Sequence, residues 1–558
     1  MFNRRWKTFW QLLKTGKTKE LIRRIFGLIK SSLNQKTEIN YPKWRTKWVE
    51  LDAVKRKHIL KRIENLTDLP SFTIMLEFDN SDEIAFFATL RSVATQLFPN
   101  WILIIKNLQK SDHANFEKIS SFNDDRIRFL GIAEPETGDW VIELQSGVVL
   151  HEAALFAKAI SITKNPETLL LYSDHDHVSK TGNFCDPYLK PDWNCDLFTA
   201  TNYISPFVTC KKELWEQGRA NVSNQYDFLL QTTAHLSRQK VIHLPYILAS
   251  QRVYDSSHLK PPVKRIKHLL PTPPPMVSIL IPTRDQGTFL EKCLESLIKK
   301  TDYPNFEMIL INHETKEPKA LKVIAKFATK ENFRVIDYCG PFNFAAMVNR
   351  AAKIAKGDIL LLLNNDTEMR DLLWLKELVS QISRPDVGVA GNLLLFGDET
   401  IQHAGVHPGI GGLMGHGHKH LPIDNSGYFN RLNAVHEVAA VTGACLAIRK
   451  NIWEELNGMD ELNLPVAYND IDLCLKAREK NLKVIFTPFS RVFHHESISR
   501  GVDDAPERNE RLRNEISFMR KKWGKFLEYD PAYNPNLEMI KGTFKLSQNP
   551  RTSPLSEI

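Results

Sequence analysis

Four groups of residues in this 558-residue chain combine types and spacings that can do chemistry. The first is the apolar run Ile359-Leu360-Leu361-Leu362-Leu363, which ends in Asn364-Asn365-Asp366. An unbroken apolar run reads as a strand buried on both faces, and open α/β sheets bind ligands beyond the carboxyl ends of their strands. Asp366 then stands where a metal-bound phosphate would sit, a hard carboxylate able to hold Mg²⁺ or Mn²⁺ against a diphosphate. The same three residues are also good turn formers. The second group is Tyr468-Asn469-Asp470-Ile471-Asp472, just ahead of an expected helix Leu473–Lys480. Carboxylates at a helix N-terminus are favoured by its dipole. At least one of the pair is accounted for by N-capping, and one can serve as a general base toward a hydroxyl group. The third is His494-His495, followed by Arg500, a possible metal ligand pair and a phosphate-binding side chain. The fourth is Gln402-His403-Ala404-Gly405 with Gly409, Gly411, Gly412 and Gly415, a flexible loop carrying His416, His418 and His420. Zinc at these histidines is the weaker reading, because structural zinc favours cysteines at defined spacing. Val441-Thr442-Gly443-Ala444-Cys445 adds small residues that would let a ligand approach closely.

The elements that must position these residues alternate strand and helix twice over. Residues 68–255 read as strands Phe72–Leu76, Trp101–Lys106, Arg126–Leu130, Trp140–Leu144 and Thr168–Tyr172, with helices Ile84–Leu97 and Glu152–Thr163. Residues 256–275 form a linker ending in Leu270-Pro271-Thr272-Pro273-Pro274-Pro275, which neither helix nor sheet tolerates. Residues 276–502 start again with the strand Val277–Pro282, the helix Thr288–Lys300 and the strand Phe306–Ile311; residues 503–558 form a helical extension and tail. The halves repeat each other. Phe98-Pro99-Asn100-Trp101 matches Tyr303-Pro304-Asn305-Phe306, and Gly138-Asp139-Trp140 opens the same strand as Gly357-Asp358-Ile359. Where the second half has Asn364-Asn365-Asp366 the first has Gln145-Ser146-Gly147, and Gln225 stands for Asp470. The first half keeps the scaffold and lacks the acids.

Length calls for two domains plus extensions, and 42% hydrophobic residues with 10% aromatics fit globular domains. A net charge of +9 suits an anionic ligand or membrane surface and does not call for nucleic acid. Seven scattered cysteines without zinc or redox spacing fit reduced core thiols, and no run of about 18 apolar residues or signal peptide is evident. These features point to a cytoplasmic protein. Residues 1–36 hold ten Lys or Arg and a single acid, Glu20, with Trp6, Phe9, Trp10 and Leu13 on one helical face. A basic amphipathic helix of this kind lies in the interface of an anionic membrane, which predicts a peripheral location on the inner face of the cell membrane.

In their order, Val-Ser-Ile-Leu-Ile-Pro-Thr, Tyr-Pro-Asn, Pro-Phe-Asn-Phe, Leu-Asn-Asn-Asp, Gln-His-Ala-Gly, Val-Thr-Gly-Ala, Asn-Asp-Ile-Asp-Leu-Cys-Leu and His-His-Glu-Ser resemble glycosyltransferase family 2. The resemblance is greatest to bacterial two-domain, rhamnosyltransferase-like members that build surface polysaccharide such as O-antigen or capsule. It covers residues 70–540, and the tail Asp530–Leu537 shares it. It implies an α/β fold of two tandem Rossmann-like A-type domains, a nucleotide-sugar donor, a lipid-linked glycan acceptor, a divalent metal and inversion at the anomeric carbon. By the same resemblance Asp366 is the metal-binding acid, although Asn364 replaces the first acid of the usual element. His494 completes the metal sphere, with His495 as alternative, and Asp470 is the base, with Asp472 beside it. Pro282, Thr283, Asn312, Asn349, Arg350, Asn364, Asn365 and Arg500 fall at donor contacts. Asn312 stands where the family usually has an acid against the nucleobase. Two other readings stay open: a bifunctional enzyme with both halves active, and a non-catalytic glycan-binding scaffold.

Overall fold

The structure is a computed structural model. It describes residues 39–79, 81–108, 113–130, 138–219, 224–233, 236–253, 262–495 and 506–558. The chain divides into two compact units, residues 1–50 and 51–558. In the first, the described part is the helix Tyr41–Trp48, capped by the Asn40 side chain on the Lys43 amide. The predicted membrane-surface helices of residues 1–36 lie outside the described residues.

The second unit holds two sheets. The first contains β1 (Phe72–Glu77), β2 (Trp101–Lys106), β3 (Ile127–Phe129), β4 (Trp140–Leu144), β5 (Val148–Leu150), β6 (Leu170–Val178), β7 (Phe184–Tyr188), β8 (Val208–Lys211) and β9 (Val241–Arg252), in the order β3-β2-β1-β4-β8-β6-β9-β5 with β7 on β6. The second contains β10 (Val277–Thr283), β11 (Phe306–Asn312), β12 (Phe333–Asp337), β13 (Ile359–Leu363), β14 (Thr367–Met369), β15 (Val387–Leu395), β16 (Ile401–His403), β19 (His436–Glu437), β20 (Cys445–Arg449) and β21 (Lys483–His494). Its order is β12-β11-β10-β13-β20-β15-β21-β14, position for position that of the first sheet. Pairing is parallel on one side of β4 and β13 and antiparallel to β8 and β20 on the other. The repeat expected from the sequence is thus a repeat of topology, and the fold is two tandem Rossmann-like domains of the A type.

Each central strand is buried on both faces, as its unbroken apolar sequence requires. All seven residues of β10 and all five of β13 are buried. Alternate side chains enter opposite cores. Leu280, Leu360 and Leu362 pack with the helix Phe344–Ile354, whereas Ile279, Ile281, Leu361 and Leu363 pack with Leu290, Leu294 and Leu297 of the helix Gly287–Lys299.

The region after residue 502 is more than an appendage. Beyond the helix Pro506–Glu528, the tail runs back onto the first half: Asn534 donates to Asp174 and to the Lys190 carbonyl, both at 2.8 Å, and Leu555 enters the core behind β1. The two halves are also joined directly. Asp196 pairs with Arg384 at 2.6 Å and Lys483 at 3.1 Å, and Tyr188 stacks on Phe429 at 3.6 Å. Burial alone would raise the Asp196 pKa, but Arg384 and Lys483 hold it below the usual carboxylate range. Among the described residues no helix is long and apolar enough to cross a membrane.

Candidate active site

A cavity of about 520 Å³ opens at the carboxyl ends of β10 and β13. Pro282 and Thr283, which end β10, and Asn364, Asn365 and Asp366, which follow β13, line it together. The parallel register Val277↔Ile359 brings these two strand ends side by side. Asn365 then donates from its amide to Thr283 Oγ1 at 2.8 Å and locks the turn that presents Asp366. Asp366 is 5% exposed. It is also tethered through its carbonyl, which accepts from the His495 amide at 2.9 Å.

The antiparallel pair Thr367↔His494 carries the end of β21 to this turn. His494 Nε2 lies 3.2 Å from Asp366 Oδ1 and 3.2 Å from Asn364 Nδ2. Gln402, the first residue of the Gln-His-Ala-Gly motif, fixes its orientation. The Gln402 amide nitrogen donates to the His494 carbonyl at 3.0 Å, so the Gln402 oxygen faces His494 Nδ1 at 2.7 Å. An oxygen there can only accept, so Nδ1 carries a proton and Nε2 is the ring nitrogen turned toward Asp366. A carboxylate oxygen and an imidazole lone pair facing each other are a donor set that a divalent cation bridges. Among the described residues no group of three or more His, Cys, Asp or Glu side chains is placed to hold a metal ion.

His495 points elsewhere. Its Nε2 meets Glu368 at 3.3 Å and its ring lies against Phe289, which removes it from the metal position proposed as the alternative. The adjacent residues of a strand face opposite sides, so only one of the pair can reach Asp366.

Asp470 and Asp472 also part company. Both lie inside the helix Asn469–Glu479, in its first turn, rather than ahead of it as expected. Asp470 Oδ2 accepts from the Gly443 amide at 2.7 Å and Oδ1 from the Ile471 amide at 2.8 Å. The Ala444 carbonyl next to Gly443 accepts from the Asn364 amide at 3.0 Å, so one short link joins Asp470 to the Asp366 turn. A Cβ on Gly443 would stand 3.3 Å from the Asp470 Cβ. The small residue therefore admits Asp470, where the sequence reading expected it to admit a ligand. Asp472 is fully buried and bonded to Lys522 at 2.6 Å, Trp523 Nε1 at 2.8 Å and Lys476 at 3.4 Å. It anchors the C-terminal helix, which rules it out as a base.

Three of the expected donor contacts are structural or remote. Asn349 donates to the Met459 carbonyl and to Glu461 and accepts from the Met459 amide, so its side chain is spent on the loop beyond it. Gly458 fits beneath it at φ +58°, where a Cβ would come within 2.5 Å of Asn349 Oδ1. Arg350 is exposed on the same helix and does not line the cavity. Asn312 donates to Asp337 at 2.8 Å and accepts from the Thr315 amide at 3.2 Å. Arg500 lies outside the described residues.

Other residues take those places. Arg284 and Arg511 bring two cations to the cavity wall. Arg511 comes from the helix Pro506–Glu528, past the last sequence motif of the half, and only tertiary contact reveals it. Four residues on, buried Glu515 accepts from the Val466 and Ala467 amides, both at 2.9 Å, and pins the cavity loop that leads into Asp470. His313, next to Asn312, is 1% exposed and lines the cavity; its Nε2–H donates to the Gly340 carbonyl at 2.9 Å, and its Nδ1 is buried without a hydrogen-bond partner. Phe342 stands beside it, 5.7 Å between ring centres and 41% exposed. The departure Asn312-His313 from the usual acid was the sequence signal for this residue. The histidines of the glycine-rich loop do not converge on zinc: His403 and His416 meet at 2.9 Å, while His418 accepts from the Tyr428 amide and stacks on Phe544.

Of the two tandem sheets, the second keeps an acid at a cavity on its strand ends. Residues 278–454 match the model of glycosyl transferase family 2. The chain is 31% identical over 540 residues to the uncharacterized protein y4gI of Sinorhizobium fredii, covering 87% of this chain and 59% of that one. It is 29% identical over 539 residues to the O-antigen biosynthesis protein RfbC of Myxococcus xanthus, covering 88% and 42%. The chain thus spans about half the length of the curated relatives it matches. Among solved structures, mannosyltransferase PcManGT from Pyrobaculum calidifontis in complex with GDP-Man and Mn²⁺ matches with a TM-score of 0.34 and 16% identity, over 46% of this chain and 68% of that one.

Proposed function

We propose that this chain transfers a sugar, with inversion, from a nucleoside-diphosphate sugar to a growing surface polysaccharide, with residues 276–502 as the catalytic domain and 68–255 as its degenerate partner. The observation that carries this reading is a cavity lined by Asp366 and two arginines, with His494 3.2 Å behind Asp366 and Asp470 tied to the Asp366 turn through Gly443 and Ala444. Asp366 and His494 would hold a Mg²⁺ or Mn²⁺ ion, which when bound offsets the diphosphate charge and helps the nucleoside diphosphate depart. Arg284 and Arg511 bind the remaining phosphate charge. Asp470 takes the proton from the acceptor hydroxyl as that oxygen attacks the anomeric carbon, a single displacement that inverts configuration. The nucleobase lies against Phe342, and His313 Nδ1 accepts an N–H from its edge. Residues 1–36 bind the protein to an anionic membrane and so bring it to a lipid-linked acceptor.

The bifunctional reading loses ground because the first half has Gly147 and Gln225 where the second has Asp366 and Asp470. The scaffold reading loses ground because Gln402, Asn364 and Gly443 are all spent on orienting His494 and Asp470. The test is hydrolysis and transfer by the purified chain with dTDP-, UDP- and GDP-sugars, with and without EDTA. Asp366→Ala should abolish metal-dependent donor turnover. Asp470→Asn should lower transfer by about 10²–10⁴-fold with donor affinity nearly intact. Turnover of none of these donors, or an Asp470→Asn protein as active as wild type, refutes the assignment.

A further inference from the structure

The first half has its own cavity, about 280 Å³, at the carboxyl ends of β4 and β6. It occupies the place of the donor site in the repeat, for Gln145 and Gln225 stand in its wall where the second half has Asn364 and Asp470. At roughly half the volume of the 520 Å³ cavity, it is small for a nucleoside-diphosphate sugar. Among the described residues its lining side chains include no carboxylate, lysine or arginine, so they offer neither a metal nor a phosphate a counter-charge.

What the wall does contain is neutral hydrogen-bonding capacity. Five amides line it, Gln145, Asn202, Asn224, Gln225 and Gln251, of which Asn224 is tied to Asp227, Asn202 accepts from Ser205 Oγ at 3.1 Å and Gln225 donates to the Glu143 carbonyl at 3.3 Å. Its floor is His175 and His177, alternate residues of β6 and therefore on one face of the sheet. His175 is 5% exposed and its Nδ1 is buried without a hydrogen-bond partner. Burial, with Lys190 nearby, holds its imidazole well below the usual pKa, so it is a neutral donor and acceptor. Tyr188 closes one side, its ring clamped by the parallel stack on Phe429.

The repeat shows that these polar residues are not required by the fold. Trp140 and Ile359 are equivalent, since they pair with the first residues of β1 and β10. From there the registers run through Cys210 and Ile448 to Leu170 and Val389. Counting on along the strand, His175 falls on Leu394, a fully buried member of an apolar core. Burying imidazoles where a leucine serves costs stability unless a ligand or partner compensates.

Resting on the proposed polysaccharide synthesis for the source of its ligand, we infer that this cavity is a non-catalytic subsite for one uncharged sugar residue of the acceptor glycan. Hydroxyl groups, each a donor and an acceptor, match a wall of amides and neutral imidazoles, and an aromatic side wall suits the apolar face of a pyranose. Holding the glycan by a residue away from the reacting end raises the local concentration of that end without any chemistry at the subsite.

The test uses the full chain and the methyl glycosides of glucose, galactose, mannose, rhamnose and N-acetylglucosamine, followed by saturation-transfer NMR. At least one glycoside should bind wild type, and its affinity should fall tenfold or more in both His175→Leu and Gln225→Ala. His175→Leu installs the residue of the second sheet, and Gln225 is half-exposed, so if the first variant fails to fold the second decides. UDP or GDP with Mn²⁺ should leave the glycoside signal in place. Binding by none of the five, binding unchanged in a folded variant, or displacement by nucleotide would overturn the inference. Donor hydrolysis by wild type is the separate readout of the catalytic reading: hydrolysis without glycoside binding sinks the subsite alone, and glycoside binding without hydrolysis sinks the catalytic reading alone.

Discussion

Replacing Gln402 by leucine tests whether His494, as Gln402 orients it, would hold the metal. Gln402 is 4% exposed and makes two bonds to His494, one to the ring and one to the carbonyl. Leucine removes the acceptor that keeps the proton on Nδ1. The ring is then free to place a proton on Nε2, where Asp366 Oδ1 at 3.2 Å would attract it and exclude a cation. Loss of such an outer hydrogen bond typically weakens metal binding by about 10–100-fold. That is roughly 1.4–2.7 kcal/mol of binding energy. Gln402→Glu is the informative companion, because a carboxylate still accepts from Nδ1 while losing the bond to the carbonyl. The Mn²⁺ half-saturation of donor hydrolysis should rise tenfold or more in the leucine variant and stay within a few-fold of wild type in the glutamate variant. Mn²⁺ binding by electron paramagnetic resonance, with nucleoside diphosphate present, should give the same ranking. Thermal melting controls for packing. Equal metal affinity in wild type and a folded Gln402→Leu, or equal losses in both variants, would refute the reasoning and make Gln402 a strand tie only.

His313→Leu should raise the donor KM about tenfold with kcat little changed, the cost of one hydrogen bond to the base; a fall in kcat at constant KM would move His313 out of base recognition. The His243 bonds to Asp174 at 2.8 Å and Asp192 at 3.1 Å make stability pH-dependent. Burial alone would lower the His243 pKa, but the two carboxylates raise it to about 9. A raised folded-state pKa stabilises fully below the unfolded value of 6.5 and is lost as pH climbs through about 9. Denaturation midpoints should therefore drop between pH 6 and 9, by on the order of 3 kcal/mol in stability, and the drop should vanish in His243→Gln; identical slopes in the two proteins count against the ion pair. Deleting residues 1–36 should release the protein from anionic liposomes at physiological salt, since each basic residue near the surface contributes about 1 kcal/mol; equal binding by both forms returns the segment to another role.

Much of this was present in the residues. The apolar run Ile359–Leu363 can only be a strand covered on both sides, and a turn of Asn364-Asn365-Asp366 at its carboxyl end places an acid at the ligand edge of the sheet. The repeat was equally legible, because both halves must rebuild the same central strands from the same buried patterns, and the loss of acids at Gly147 and Gln225 shows in one line of sequence. Local sequence could not choose between neighbours. His494 ends β21 and His495 follows it; the pairing of His494 with Thr367 of β14 decides which of the two meets Asp366. Asp470 and Asp472 are both acids in one helical turn; the packing of Lys522 and Trp523, fifty residues on, buries the second and leaves the first beside Gly443. Arg511 reaches the cavity and His175 lines the other one through contacts distant in the chain, which no spacing encodes. Periodicity reports burial along an element, whereas the identity of a site depends on which elements meet, and only the folded chain holds that information.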